Sequence, residues 1–291
     1  MQILNLLRYV TRHPLNSKAK MAACGRVLRW QLASRLIGAP IALPFVNETR
    51  LLVTRGMTGA TGNFYCGLHE ISEMGFALHF LREGEHFLDV GANIGSYTVL
   101  ASCAGAHVTS VEPIPVTFAK LEDNVLLNQL TQRVRLCNVG LSERPGVLRF
   151  SADLDTVNHV LPIGSSLPAV EVEVLPLDEP IGVDIPVLIK IDVEGHELSV
   201  LNGGRRTLGD SRLRAVIMET NQSGSRYGVS DDDLRCIMTS NGFVGFGYDP
   251  FSRLMADVAP DAANTIFVRD RDEVSDRVKS APMFQLINGA I

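Results

Sequence analysis

Three carboxylates stand where apolar runs stop. Asp89 lies near the end of HFLDV (residues 86–90), Glu112 follows HVTSV (107–111), and Asp192 follows PVLIKI (186–191). Short apolar runs of this kind make buried parallel strands, and an open α/β sheet binds ligands at the carboxyl ends of such strands. After Asp89 the chain reads Gly91-Ala92-Asn93-Ile94-Gly95, a tight turn into a helix, with the hydroxyls of Ser96 and Thr98 near the helix start. Glycine permits backbone conformations that a side chain forbids, so a small polar ligand can lie close against such a turn.

The sign of charge selects the ligand. A dinucleotide fingerprint needs glycine at its first, third and sixth positions, and here those are Gly91, Asn93 and Ser96. Asp89 would also repel a pyrophosphate, whereas it would attract the ammonium of an amino-acid moiety beside a sulfonium, the combination found in S-adenosylmethionine. Glu112 arrives about twenty residues after Gly91, the spacing at which an acid grips both hydroxyls of a ribose.

The elements that must position these groups can be read along the chain. Residues 1–45 form a basic arm: Arg8, Arg12, Lys18, Lys20, Arg26, Arg29 and Arg35 precede Glu48, the first acid, in a chain of net charge -5. Ile3, Leu6, Leu7 and Val10, then Val27, Leu28, Leu32 and Leu36, recur at helical spacing and predict two amphipathic helices with basic faces. Such an arm caps the core or makes a peripheral contact with anionic lipid; a nucleic-acid contact is not expected. Residues 46–85 predict a pre-core segment of a strand pair (strand-like from Ala42 to Arg55 around an Asn47-Glu48 turn), a Gly/Thr-rich loop at 56–67 over the site, and a helix at 70–81 opened by Glu70. Residues 86–270 predict the main domain, with strands at 86–90, 107–111, 134–139, 186–191, 214–218, 243–248 and 265–268. A small antiparallel excursion at 146–152 and 170–174 surrounds an irregular insert at 153–159. Residues 271–291 form a C-terminal tail.

A length of 291 residues suits one large α/β domain with an added segment. Five cysteines without a CxxC pair point to reduced thiols and a cytoplasmic setting. No apolar run approaches the roughly 20 residues of a membrane span.

Taken together, LDVGANIGSYT (88–98), SVEPIPVTF (110–118) and LIKIDVEGHELSVLNG (188–203) resemble the FkbM family of S-adenosylmethionine-dependent methyltransferases. TGNFYCGLHE (61–70) and VIMETN (216–221) look like that family's flanking segments, so the resemblance covers about residues 50–270. It implies an α/β class I methyltransferase fold: a Rossmann-like, seven-stranded, mostly parallel sheet with helices on both faces. It also implies O-methylation of a hydroxyl on a sugar, glycolipid or secondary metabolite. By resemblance Asp89, Gly91, Asn93 and Gly95 hold the methionine portion of the donor and Glu112 the ribose. Ala92, Thr98, Pro113 and Asp192 join the expected donor-binding set, as do Glu70, which begins the preceding helix, and Asn138, near the adenine.

Transfer of a methyl group to a hydroxyl needs positioning first and a proton acceptor second. The candidates are Asp192, whose carboxylate ends an apolar strand; His196, whose ordinary pKa suits the task; and His159 on the same argument. Glu194 reads best as a cap on the helix that follows. A divalent cation held by Asp192, Glu194 and His196 is not expected, because Gly195 breaks the extended backbone that would keep them on one face. The rivals are a nucleotide-dependent enzyme and a non-catalytic subunit that retains the fold.

Overall fold

The computed structural model describes residues 2–151, 159–162, 165–179, 184–259 and 262–291; most of the expected irregular insert, 153–158, lies outside the described residues. In chain order the elements are α1 (Gln2–Arg12), α2 (Lys20–Leu36), β1 (Ile41–Pro44), β2 (Arg50–Val53), α3 (Thr58–Cys66), α4 (Ile71–Phe80), β3 (His86–Val90), α5 (Ser96–Cys103), β4 (His107–Val111) and α6 (Pro115–Leu127). There follow β5 (Val134–Cys137), β6 (Gly140–Ser142), β7 (Gly146–Ser151), β8 (Ala169–Pro176), β9 (Leu188–Ile191), α7 (Glu197–Gly203), α8 (Arg205–Gly209), β10 (Ala215–Glu219) and α9 (Asp231–Ser240). The chain closes with β11 (Val244–Asp249), β12 (Leu254–Ala256), β13 (Asn264–Val268), α10 (Arg271–Lys279), β14 (Gln285–Leu286) and β15 (Gly289–Ala290).

The central sheet runs β12-β11-β13-β10-β9-β3-β4-β5. From β5 to β10 all pairings are parallel, while β13 lies antiparallel between β10 and β11. The seven expected strands are present, and the short β12 adds an eighth at the β11 edge. Order reverses between β3 and β9, where chain segments leave the sheet in opposite directions and open a crevice at their carboxyl ends. A separate three-stranded sheet, β6-β8-β7, contains the expected antiparallel excursion and adds β6 parallel to β8.

Strand alternation decides which polar groups share an interior. Leu88 and Val90 of β3, Ile189 and Ile191 of β9, and Val216 and Met218 of β10 belong to one core with Val200, Leu201 and Phe243. Phe87, Leu188, Ala215 and Ile217 point to the other face, into the core that holds Phe76, Phe80 and Leu100. With a side-chain period of two, Asp89 and Lys190 fall on that second face as register partners. A buried ionisable pair is thereby set beside α4 and α5.

Two expectations fail for one reason, that packing overrides composition. The Gly/Thr-rich segment expected as a loop is mostly the helix α3, whose Ala60, Thr61, Gly62, Asn63, Tyr65 and Cys66 are buried. A Cβ on Gly62 would lie 2.6 Å from His69 Nδ1, so the missing side chain is what lets the next turn close over the helix. In α2 the expected apolar face is largely turned around: Val27 is buried, but Leu28, Leu32 and Leu36 are exposed, and Ala23, Arg26 and Trp30 face inward. Arg26 is buried because Nη2 donates to Asn16 Oδ1 at 2.7 Å and to the Tyr65 carbonyl at 2.8 Å. The arm is therefore docked on α3. Beyond residue 270 the chain is also built in: α10 buries Val274 and Val278, and Asn288 Nδ2 donates to Asn16 Oδ1 and the Cys66 carbonyl.

Candidate active site

A cleft of about 310 Å³ opens at the carboxyl ends of β3, β4, β9 and β10, with α3 and the start of α4 along one side. Its floor is the turn after β3. The Gly91 and Ala92 N–H groups both donate to the Val111 carbonyl at 3.0 Å, which ties the turn to β4. Gly91 has φ +77, and a Cβ there would stand 1.8 Å from the Asp192 carbonyl oxygen. Glycine at 91 is thus demanded by the neighbouring chain leaving β9. Gly95, with φ +90, ends the turn and begins α5 beneath Leu121.

Asp89 is fully buried. Its Oδ2 accepts from the Thr98 hydroxyl at 2.7 Å, while Oδ1 has no hydrogen-bond partner. Burial lifts its carboxyl to about 6, although Lys190 and Thr98 pull the other way. Thr98 does not line the cleft; it bonds Asp89 and Ser110, so it orients the acid from behind.

Glu112 bridges the turns after β3 and β4. Its Oε2 accepts from the Asn93 N–H and its Oε1 from the Ile114 N–H, both at 2.9 Å. Asn93 takes φ 51 to present that N–H. Burial pushes Glu112 up to about 7 against those two bonds. Pro113 lines the cleft, and Asn138 does not: its amide donates to the carbonyls of Glu112 and Pro113 and fixes the turn from outside.

On the opposite side, Glu70 accepts from the Tyr97 hydroxyl at 2.8 Å and from Asn264 Nδ2 at 3.0 Å. Lys190, only 4% exposed, places Nζ 2.7 Å from Asp192 Oδ2 and 4.7 Å from the centre of the Tyr97 ring. Burial alone would favour the neutral amine, but Asp192, Glu70 and Asp89 outweigh it and hold the ammonium above the ordinary lysine value.

The turn after β9 departs from expectation. Glu194 does not cap α7, whose N-cap His196 makes no side-chain capping bond; Glu197, in the first turn of α7, instead ties down the preceding turn by accepting from the Val193 and Gly195 N–H groups at 3.2 and 3.1 Å. Glu194 (φ 55) and Gly195 (φ 100) both take left-handed backbone, which folds Glu194 back toward Asp192. Carboxylate oxygens of Asp192, Glu194 and Glu219 come within 4.8 Å of one another, a set that could ligate a cation among the described residues. Glu219, not His196, is the third member of this set. Burial, then Asp192, raises Glu194 to about 7 and Glu219 to about 9.

His196 lines the cleft, with Nε2 3.1 Å from Ser142 Oγ and its ring edge-on to Tyr227. Burial lowers its pKa, so the imidazole is neutral near pH 7. His159 is not among the residues that line the cleft; its N–H donates to Ser151 Oγ. The sequence reading gave no role to Lys190, Tyr97 or Glu219. Lys190 was signalled as the one charge inside an apolar strand, and Glu219 as a fourth acid at a strand end.

A doubly wound, mostly parallel sheet with this acid-lined crevice at its reversal point is a Rossmann-like methyltransferase fold. The Methyltransferase FkbM domain matches residues 89–244, more than half of the chain, and the chain belongs to that family. It is 33% identical over 140 residues to the hexuronic acid methyltransferase AglP of Haloferax volcanii, covering 47% of this chain and 56% of that protein. It is 40% identical over 73 residues to the 31-O-demethyl-FK506 methyltransferase FkbM of Streptomyces tacrolimicus, covering 24% of this chain and 27% of that one. The chain thus spans about half or less of the curated relatives it matches. Among solved structures it resembles the methyltransferase FkbM of Methylobacillus flagellatus, with 19% identity, a TM-score of 0.46, and coverage of 72% of this chain and 54% of that one.

Proposed function

We propose that the protein is an S-adenosylmethionine-dependent O-methyltransferase that acts on a hydroxyl of a sugar, glycolipid or secondary metabolite. The observation that carries the reading is the pairing of Asp89 and Glu112 across one turn. Asp89 Oδ1 is a buried acceptor with no protein partner, suited to an ammonium. Each Glu112 oxygen takes one backbone N–H and keeps a lone pair for a ribose hydroxyl. Gly91, Ala92 and Asn93 line the floor between them. When bound, the donor supplies a methyl group already activated by its sulfonium.

This chain's own residues then position the acceptor and take its proton. An acceptor oxygen must sit roughly 3 Å from the methyl carbon. His196 is the residue assigned to the proton. It is neutral, it faces the cleft, and with Nε2 turned to Ser142 its Nδ1 has no hydrogen-bond partner among the described residues. Asp192 is held by Lys190 and serves to keep the cleft's one buried ammonium in place.

Both relatives' names describe methyl transfer, one acting on a hexuronic acid and one on 31-O-demethyl-FK506. A glycosyl acceptor is therefore the first to assay. Calorimetric titration should show S-adenosylhomocysteine binding and no NAD binding; the reverse would exclude the donor. With labelled donor and uronic-acid glycosides, an alkali-stable methyl ether supports the hydroxyl as acceptor, and an alkali-labile ester would exclude it.

A further inference from the structure

We propose that the outer face of α2 is a docking surface for an anionic phospholipid bilayer. Met21, Leu28, Leu32 and Leu36 are 90%, 55%, 64% and 84% exposed, a degree of exposure unusual for four large apolar side chains on one helix. Their spacing places them within about 80° of one another around the axis at 3.6 residues per turn. Arg29 and Arg35, both exposed, fall on either side of that stripe. Apolar centre and cationic flanks are what an interfacial helix presents to headgroups and upper acyl chains.

The opposite face of the helix cannot turn outward to cover the leucines, because Ala23, Val27 and Trp30 are part of the main core and Arg26 is bonded to Asn16 and Tyr65. The stripe is therefore presented on a rigid element and loses little conformational entropy on docking. At 17 residues α2 lies on a bilayer rather than crossing it, and no helix of the described residues is long and apolar enough to cross. Charge distinguishes the occupant. No acid occurs before Glu48, so this face met by its own copy would bring arginines against arginines, whereas an anionic surface complements them.

The test is flotation of the full chain with vesicles of phosphatidylcholine alone and with about 30 mol% phosphatidylglycerol, at about 0.1 and about 0.5 M salt. Binding is expected to the anionic vesicles only, and to weaken at least tenfold at the higher salt. A Leu28→Ser/Leu32→Ser/Leu36→Ser variant and an Arg29→Gln/Arg35→Gln variant should each lose at least tenfold in partitioning, with thermal midpoints unchanged because the side chains are exposed. Absence of binding to anionic vesicles, or binding indifferent to whichever variants keep the wild-type midpoint, overturns the proposal. So does a concentration-dependent dimer, seen in sedimentation velocity, that the leucine variant disperses.

Discussion

Asp89→Asn separates the donor's requirement for charge from the fold's intolerance of it. Burial raises Asp89 from 3.8 to about 6, so its protonated form is the better one for the fold itself. The sign follows from linkage. A carboxyl with a raised folded pKa contributes stability that is fully present below 3.8 and is lost as pH rises through about 6. At about 1.36 kcal/mol per pH unit the full span is about 3 kcal/mol, of which about 1.4 is already lost between pH 5 and pH 8. Asparagine cannot titrate, so relative to wild type the variant gains about 1.4 kcal/mol between those two pH values. Any fixed cost of burying its amide, about 1–3 kcal/mol, cancels in that comparison. In melting temperature the relative gain is roughly 2 °C for a chain of this size. Circular dichroism melts of both proteins at the two pH values, without donor, give the number. The variant should also lose about 1–3 kcal/mol of S-adenosylhomocysteine affinity at pH 8 by calorimetry. A melting difference that is the same at pH 5 and pH 8 would refute the reasoning, because Asp89 would then not be a carboxylate charged at the expense of the fold.

His196→Ala should lower single-turnover methyl transfer by about 10² to 10⁴ and leave donor affinity unchanged. Because burial lowers the His196 pKa, the wild-type rate should hold until pH falls below about 6.5, and the variant should lack that acid limb. Lys190→Met breaks a 2.7 Å ion pair whose lysine is buried, and should cost on the order of 3 kcal/mol in urea unfolding; Asp192 keeps some access to water, which holds the loss to the low end of the buried-pair range. Gly91→Ala drives a Cβ to 1.8 Å from the Asp192 carbonyl at φ +77, so it should destabilise by more than about 2 kcal/mol or abolish donor binding; a wild-type melt with full binding would contradict the packing of the turn.

The central strands were legible because both of their faces are buried, which writes β3, β9 and β10 as near-continuous apolar runs. Asp89, Glu112 and Asp192 were legible for the same reason, since each stands out against such a run. Glu219 stands out equally, but its approach to Asp192 and Glu194 depends on β10 lying beside β9, and pairing is not written in either strand alone. Glu194 required a second kind of information: two successive left-handed residues, of which only Gly195 advertises itself. The faces of α2 were misjudged because leucine outranks arginine as a core residue in any hydrophobicity pattern. The carbonyl of Tyr65 and the amide of Asn16 reverse that ranking by satisfying the buried Arg26, and neither partner is near it in sequence.

Charge ties the cleft to its ligand. Glu70, Asp89, Glu112, Asp192, Glu194 and Glu219 line it, and among the described lining residues Lys190 is the sole lysine or arginine. That ammonium is already paired with Asp192, so it neutralises one carboxylate and leaves the others to be relieved by protons. Burial first, and neighbouring carboxylates after it, raise Asp89, Glu112, Glu194 and Glu219. A pyrophosphate would add charge of the sign the cleft already carries in excess, and among the described lining residues there is no arginine to receive it. A ligand that brings an ammonium and a sulfonium does what the protons do and can displace them. The same carboxylates whose ionisation costs the fold stability as pH rises therefore favour a cationic donor over a dinucleotide.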